Sequence, residues 1–279
     1  MPQMSSRYIT VLDRELHYID WADDRRETII MWHGLARTGR DFDDLAAYLC
    51  DRYRVICPDT IGRGLSQWSP KPQAEYCLDF YAALATGMVD ALGCDQLHWI
   101  GTSMGGAIGM RVAATSLRGR IKRLVLNDIG PKIAEAALSR ITSYAGAPPR
   151  FDTVSELEAY FRTIYKPYGY LSDAQWRRLT ETSVRRTEDG RITPHYDPNM
   201  MMQFQRHPAD DDQWADYDAV TAPTLLLRGA ESDLLAPDIA EEMTRRGPRC
   251  RLEVIAGCGH APALNTQTQY ALIEAFLAS

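Results

Sequence analysis

The residues of this chain best equipped for chemistry are a serine in a glycine-rich turn and a histidine in a glycine-rich loop far downstream. Ser103 is the centre of Gly101-Thr102-Ser103-Met104-Gly105, a G-x-S-x-G sequence between a strand expected over 97–100 and a helix expected over 104–115. A sharp strand-to-helix turn at such a place holds a serine hydroxyl clear of the sheet. The bare pattern arises by chance in about one chain in ten of this length, so its position is what makes it informative; a serine that merely caps a helix is the lesser reading. The glycines at 101, 105 and 106 fit the same turn, because a side chain there collides with the neighbouring strand or the start of the helix.

A serine hydroxyl is a weak nucleophile at neutral pH and needs a base within reach and a third group to orient that base. His260 lies in Gly257-Cys258-Gly259-His260-Ala261-Pro262, just after the last expected strand, which brings it to the same sheet edge as Ser103. His17, His98, His195 and His207 lack that placement. For the acid, Asp233 in Gly229-Ala230-Glu231-Ser232-Asp233 is preferred, since it gives the chain order serine, acid, histidine. Asp128, which ends the preceding strand, is the second candidate and Glu231 the third; the aspartate not used caps the turn or helix that follows it. An oxyanion needs two backbone donors held in advance. Met104 N–H, in the first turn of a helix, is one; Leu35 N–H, in the loop His33-Gly34-Leu35, is the other. His33 itself reads as a structural hydrogen-bonding residue.

The elements that must carry these residues alternate. Apolar runs at 8–12 and 16–21 suit an edge hairpin, and those at 28–32, 53–57, 97–100, 123–127, 224–228 and 250–255 suit buried strands. Helical spacing separates them at 41–50, 75–92, 104–115, 238–246 and 266–277. Such alternation predicts an α/β fold with a mostly parallel sheet covered on both faces. Between 131 and 222 it stops, and helical patterns at 133–144, 154–165 and 174–184 follow one another with no strand expected. Residues 1–130 and 223–279 therefore read as one core domain and 131–222 as an inserted helical cap. The acidic run Asp210-Asp211-Asp212 reads as a solvated loop.

At 279 residues with 45% hydrophobic content the chain can bury a full core. Its net charge of −6 argues against a nucleic-acid or anionic-membrane surface and for a small-molecule substrate; a monomer or homodimer is expected. No run of eighteen apolar residues and no secretory leader is found, so a cytoplasmic protein is expected. The six cysteines show no C-x-x-C pair and the histidines no H-E-x-x-H; neither metal nor nucleotide cofactor is expected.

His33-Gly34, Asp59-x-x-Gly62-x-Gly64-x-Ser66, Gly101-x-Ser103-x-Gly105-Gly106, Asp233 and Gly259-His260 together resemble, in order and spacing, the α/β-hydrolase superfamily over nearly the whole chain. That resemblance implies an α/β-hydrolase fold, an eight-stranded and mostly parallel sheet flanked by helices, with a helical cap. It also implies that the Asp59 to Ser66 element is an architectural turn. Ser103 sets the chain apart from the haloalkane dehalogenase and epoxide hydrolase branches, which use an aspartate there. The resemblance points to hydrolysis of a small, largely apolar carboxylic ester or lactone, as in carboxylesterases and 3-oxoadipate enol-lactonases. Carbon–carbon hydrolysis of a ring-cleavage diketone acid is the alternative, weakened because Leu35-Ala36-Arg37-Thr38 stands where those enzymes usually carry glycine-proline-glycine. A third reading is a ligand-binding receptor without turnover. Substrate choice is expected from the cap, with its Tyr144, Phe161, Tyr165, Tyr168, Trp176, Tyr196 and Met200 to Met202; most of these pack and a few line an apolar pocket. Arg37 reads first as a solvated or structural arginine and second as a partner for a substrate carboxylate.

Overall fold

The computed structural model describes residues 4–22, 27–133 and 135–279, without the side chains of Glu135, Ala136, Arg140, Ser143, Tyr144, Ala209 and Asp211. Tyr144 therefore lies outside the described side chains. Ten strands are named in chain order: β1 (Met4–Val11), β2 (Arg14–Trp21), β3 (Thr28–Trp32), β4 (Arg54–Pro58), β5 (Leu97–Thr102), β6 (Ile121–Asn127), β7 (Val184–Arg186), β8 (Ile192–Pro194), β9 (Thr224–Gly229) and β10 (Arg251–Ile255). The helices are α1 (Asp43–Leu49), α2 (Pro72–Glu75), α3 (Leu78–Ala91), α4 (Met104–Ala114), α5 (Glu135–Ala145), α6 (Val154–Ile164), α7 (Asp173–Glu181), α8 (Met202–Arg206), α9 (Trp214–Ala219), α10 (Pro237–Met243) and α11 (Gln267–Leu277).

Eight strands form one sheet in the order β1-β2-β4-β3-β5-β6-β9-β10. The pairs β1·β2 and β2·β4 are antiparallel and the rest parallel. Strand periodicity sends alternate residues to opposite faces. Ile30, Trp32, Trp99, Leu124 and Leu126 enter one apolar layer with Leu84, Met88, Ile108 and Val112 of α3 and α4. Ile29, Met31, Val125, Leu225 and Leu227 enter the other with Leu45 and Leu49 of α1 and Ile273 and Phe276 of α11. With both faces covered, the central strands read as continuous apolar runs, which is why they are legible in sequence.

The expected helix over 75–92 is broken. Tyr76 and Cys77 leave the helical region because Tyr76 O–H is buried as a donor to Asp197 at 2.6 Å, while Leu78 N–H donates to Asp210 Oδ2 at 2.9 Å. Asp210 is thus engaged in packing instead of standing free in a solvated loop.

The described residues of 131–222 add no strand to the main sheet, yet they are not all helical, for β7 and β8 form an antiparallel ribbon. Capping boxes at Thr153 and Ser172 start α6 and α7. Part of the segment (Ala137, Ile141, Tyr196, Met200) joins the core layer above the sheet, whereas Leu157, Phe161, Tyr165, Trp176, Leu179 and Ile192 make a cluster of their own. No described helix is long and apolar enough to cross a membrane.

Candidate active site

The turn between β5 and α4 holds Ser103 at φ 52°, ψ −119°, a region that non-glycine residues rarely occupy. The surroundings impose it. Ser103 N–H donates to Asn127 O of the neighbouring strand at 3.0 Å, and Ser103 O accepts from Gly106 and Ala107 N–H. A β-carbon on Gly105 would stand 2.0 Å from Trp32 O, and one on Gly101 would stand 2.3 Å from Gly105. These glycines are required for close approach, and the strain sits on the serine itself, as expected where local geometry serves a site.

His260 Nε2 lies 3.0 Å from Ser103 Oγ, and His260 Nδ1 lies 2.7 Å from Asp128 Oδ2. With Nδ1 protonated the ring donates to the carboxylate and leaves Nε2 to accept the serine proton. Asp128 is fully buried and is held from the β9 side, where Gly229 N–H donates to Oδ1 at 2.8 Å and Ser232 O–H to Oδ2 at 2.6 Å. This corrects the sequence-based choice of Asp233. Asp233 is exposed, as is Glu231, and the segment around them supplies donors to Asp128 in place of an acid of its own. The turn there is capped by Ser232, whose Oγ accepts from Leu234 and Leu235 N–H. The His260 loop is tied down by Gly259 N–H to Pro167 O at 2.7 Å and by Asn127 Nδ2 to Pro262 O at 2.9 Å. Burial, with Asp128 close by, pushes the Cys258 thiol up to about 11, which keeps it neutral and unreactive.

The loop after β3 is fixed from within. His33 is fully buried; its Nδ1 donates to Gly34 O at 2.6 Å and its Nε2 accepts from Thr60 N–H at 2.9 Å. Burial holds the ring down at about 4, so it is neutral. Gly34 O also accepts from Arg37 N–H at 3.2 Å. Since a trans peptide points its C=O and N–H in opposite directions, anchoring Gly34 O turns Leu35 N–H the other way. The next carbonyl, Leu35 O, accepts from Nε of the buried Arg63 at 2.9 Å. Arg63 and Asn127, both unnoticed in the sequence, carry no motif; their importance is a matter of what they reach.

Two cavities meet at Ser103. One, of about 700 Å³, is lined by Leu35, Leu78, Met104, Ile129, Ile133, Leu138, Ile141, Gln203 and Phe204 among others. The second, of about 490 Å³, is lined by Gly34, Leu35, Arg37, Ile141, Ile164, Tyr165, Tyr168 and His260. Leu35 and Met104, the expected oxyanion donors, thus border the space in front of the serine. Of the cap aromatics, Tyr165 and Tyr168 line a cavity, while Phe161, Trp176 and Tyr196 are buried in packing. Arg37 is not solvated: it is 3% exposed.

A family model described as the alpha/beta hydrolase family matches residues 29–271. The 3-hydroxybutyrate-oligomer hydrolase of Cupriavidus necator is 36% identical over 93% of this chain and 91% of its own length. The 2-(acetamidomethylene)succinate hydrolase of Mesorhizobium japonicum is 28% identical over 83% of this chain and 81% of its own. The crystal structure of an alpha/beta hydrolase from Novosphingobium aromaticivorans superposes with a TM-score of 0.89 at 32% identity, covering 100% of this chain and 99% of the other.

Proposed function

Because the chain belongs to the α/β hydrolase family and is a hydrolase, we propose that it cleaves a carboxylic ester through an acyl-enzyme on Ser103. The observation that carries this reading is the contact of Ser103 Oγ with His260 Nε2 at 3.0 Å beside an apolar cavity. His260 takes the serine proton during attack and returns it to the leaving alcohol. Asp128 fixes the ring and stabilises the imidazolium. Leu35 and Met104 N–H receive the oxyanion. The similarity to an oligomer hydrolase of 3-hydroxybutyrate favours an ester over a carbon–carbon bond. Residues 131–222 act as the cap: Ile133, Leu138, Ile141 and Phe204 close the larger cavity. The chain works on a small molecule, as monomer or homodimer.

Aryl esters of graded acyl length, together with a fluorophosphonate probe, test the proposal. Turnover of butyryl or hexanoyl esters and labelling of Ser103 are expected. A folded protein that turns over no ester and takes no label sinks the esterase reading, and turnover of a ring-cleavage diketone acid under the same conditions would put carbon–carbon hydrolysis in its place.

A further inference from the structure

The two cavities at Ser103 are not equivalent, and the difference assigns the two halves of the ester. His260 lines the cavity of about 490 Å³ and not the larger one. In acylation the bond from the carbonyl carbon to the leaving oxygen breaks as the bond to Ser103 Oγ forms, and the proton taken from the serine passes from His260 to that oxygen. The leaving alcohol must therefore lie on the side of His260, and the acyl chain in the larger, apolar cavity. Water then attacks the acyl-serine from the side the alcohol has vacated, His260 taking its proton.

The alcohol cavity holds a buried cation. Nε and one terminal nitrogen of Arg37 donate to Asp41 at 2.9 and 2.5 Å, and the guanidinium carbon lies 4.8 Å from the centre of the Tyr165 ring. The other terminal nitrogen, NH1, is buried with no hydrogen-bond partner. Burial pushes the Tyr165 phenol up, and the Arg37 guanidinium, close to the phenol oxygen, works in the opposite direction. A β-carbon placed on Gly34 would lie 3.6 Å from Ser103 Cβ and 4.0 Å from Arg37 Cγ: a single glycine separates the serine from the stem of the arginine. A buried N–H without an acceptor is costly, and a charged acceptor relieves that cost most.

Resting on the esterase reading above, we propose that Arg37 NH1 receives a carboxylate carried by the alcohol half of the substrate, so that the preferred ester has a short hydroxy acid as its leaving group. The products are that free hydroxy acid and the acid released from Ser103. An oligoester of hydroxy acids is accordingly trimmed from its carboxyl end, one unit per turnover.

The test compares O-butyryl-3-hydroxybutyrate with its own methyl ester, which removes only the charge, in the wild type, Arg37→Gln and Arg37→Lys. The wild type is expected to prefer the free acid by at least tenfold in kcat/KM, Arg37→Gln to lose that preference, and Arg37→Lys to recover part of it. A second measurement needs no variant: 3-hydroxybutyrate should inhibit butyryl-ester hydrolysis competitively at concentrations at least tenfold lower than 3-hydroxybutyramide. A wild type that hydrolyses aryl butyrate yet treats acid and methyl ester alike, with anion and amide inhibiting equally, overturns the role of Arg37 and leaves the esterase reading standing. Absence of turnover of every ester overturns both.

Discussion

Among the described residues, two Ser–His–Asp constellations have nearly the same dimensions. In one, Ser103 Oγ, His260 and Asp128 are joined at 3.0 and 2.7 Å. In the other, Ser6 Oγ meets His17 Nε2 at 2.8 Å and His17 Nδ1 meets Asp59 Oδ2 at 2.8 Å. Ser6 sits within β1, an edge strand, where its backbone is regular and no helix begins after it. Neither Ser6, His17 nor Asp59 lines any of the cavities at Ser103. Asp59 is occupied as a structural hub, accepting Gly39 N–H at 2.8 Å and Leu65 N–H at 3.0 Å as well as the histidine. Although burial works to raise it, its carboxylate is held below the usual range, chiefly by the hydrogen bond with His17 and also by Leu65 N–H. A hydrogen-bonded triad is thus cheap for a fold to make. What sets the Ser103 region apart is the strained turn, the helix N-terminus beside it, the anchored loop after β3 and the two cavities that open there.

The widest separation of the two regions is expected from the serines. Ser103→Ala should lower kcat by about 10⁴-fold or more and abolish fluorophosphonate labelling, while Ser6→Ala stays within about twofold of wild type. Labelling of Ser6 in the Ser103→Ala protein, read by peptide mass spectrometry, would erase the distinction. The carboxylates come next: Asp128→Asn should cost about 10³- to 10⁴-fold in kcat by losing the orientation of His260, with Asp233→Asn within about threefold. The reverse ranking would restore the order suggested by sequence.

Glycine substitutions sharpen the comparison through stability. A β-carbon at Gly105 meets Trp32 O at 2.0 Å and one at Gly64 meets Asp59 Oδ2 at 2.1 Å. Gly105→Ala and Gly64→Ala should each lose roughly 3 kcal/mol in urea unfolding, but only Gly105→Ala should also depress kcat per folded molecule by tenfold or more.

The smallest effect is one of pH. Burial lowers His33 to about 4, whereas in the unfolded chain a histidine titrates near about 6.5. Between these values the unfolded state binds the extra proton, so the stability from neutral His33 is present above about pH 6.5 and lost as pH falls toward 4. Between pH 7 and 5 the loss is about 2 kcal/mol. Paired unfolding curves of wild type and His33→Gln should differ by that amount; identical pH slopes would remove His33 from the account.

The serine turn, the histidine loop and the covered strands were legible because each rests on local chemistry. The elbow needs glycines at fixed offsets, and β3 and β9 are apolar on both faces because both faces are covered. The ribbon β7–β8 was not legible. Its strands are three residues each, too short for a period to register. The break at Tyr76 and Cys77 was hidden for a different reason: the partners that draw it open, Asp197 and Asp210, are more than a hundred residues away.

The choice of acid shows the same boundary. Asp128 and Asp233 both follow strands that end at the edge where Ser103 and His260 lie, and nothing in their local sequence ranks them. Strand order places β6 directly between β5 and β9, so Asp128, at φ 54°, is buried where Gly229 and Ser232 can hold it against His260, while Asp233 is exposed. By itself the sequence determined the serine turn, the histidine loop and the layered sheet that presents them, since those depend on residue types at short spacing. Only the tertiary structure decided which carboxylate meets His260, how His33 and Arg63 anchor the loop after β3, and that Arg37 is buried with a nitrogen unpaired. These depend on which distant groups meet once water has been excluded.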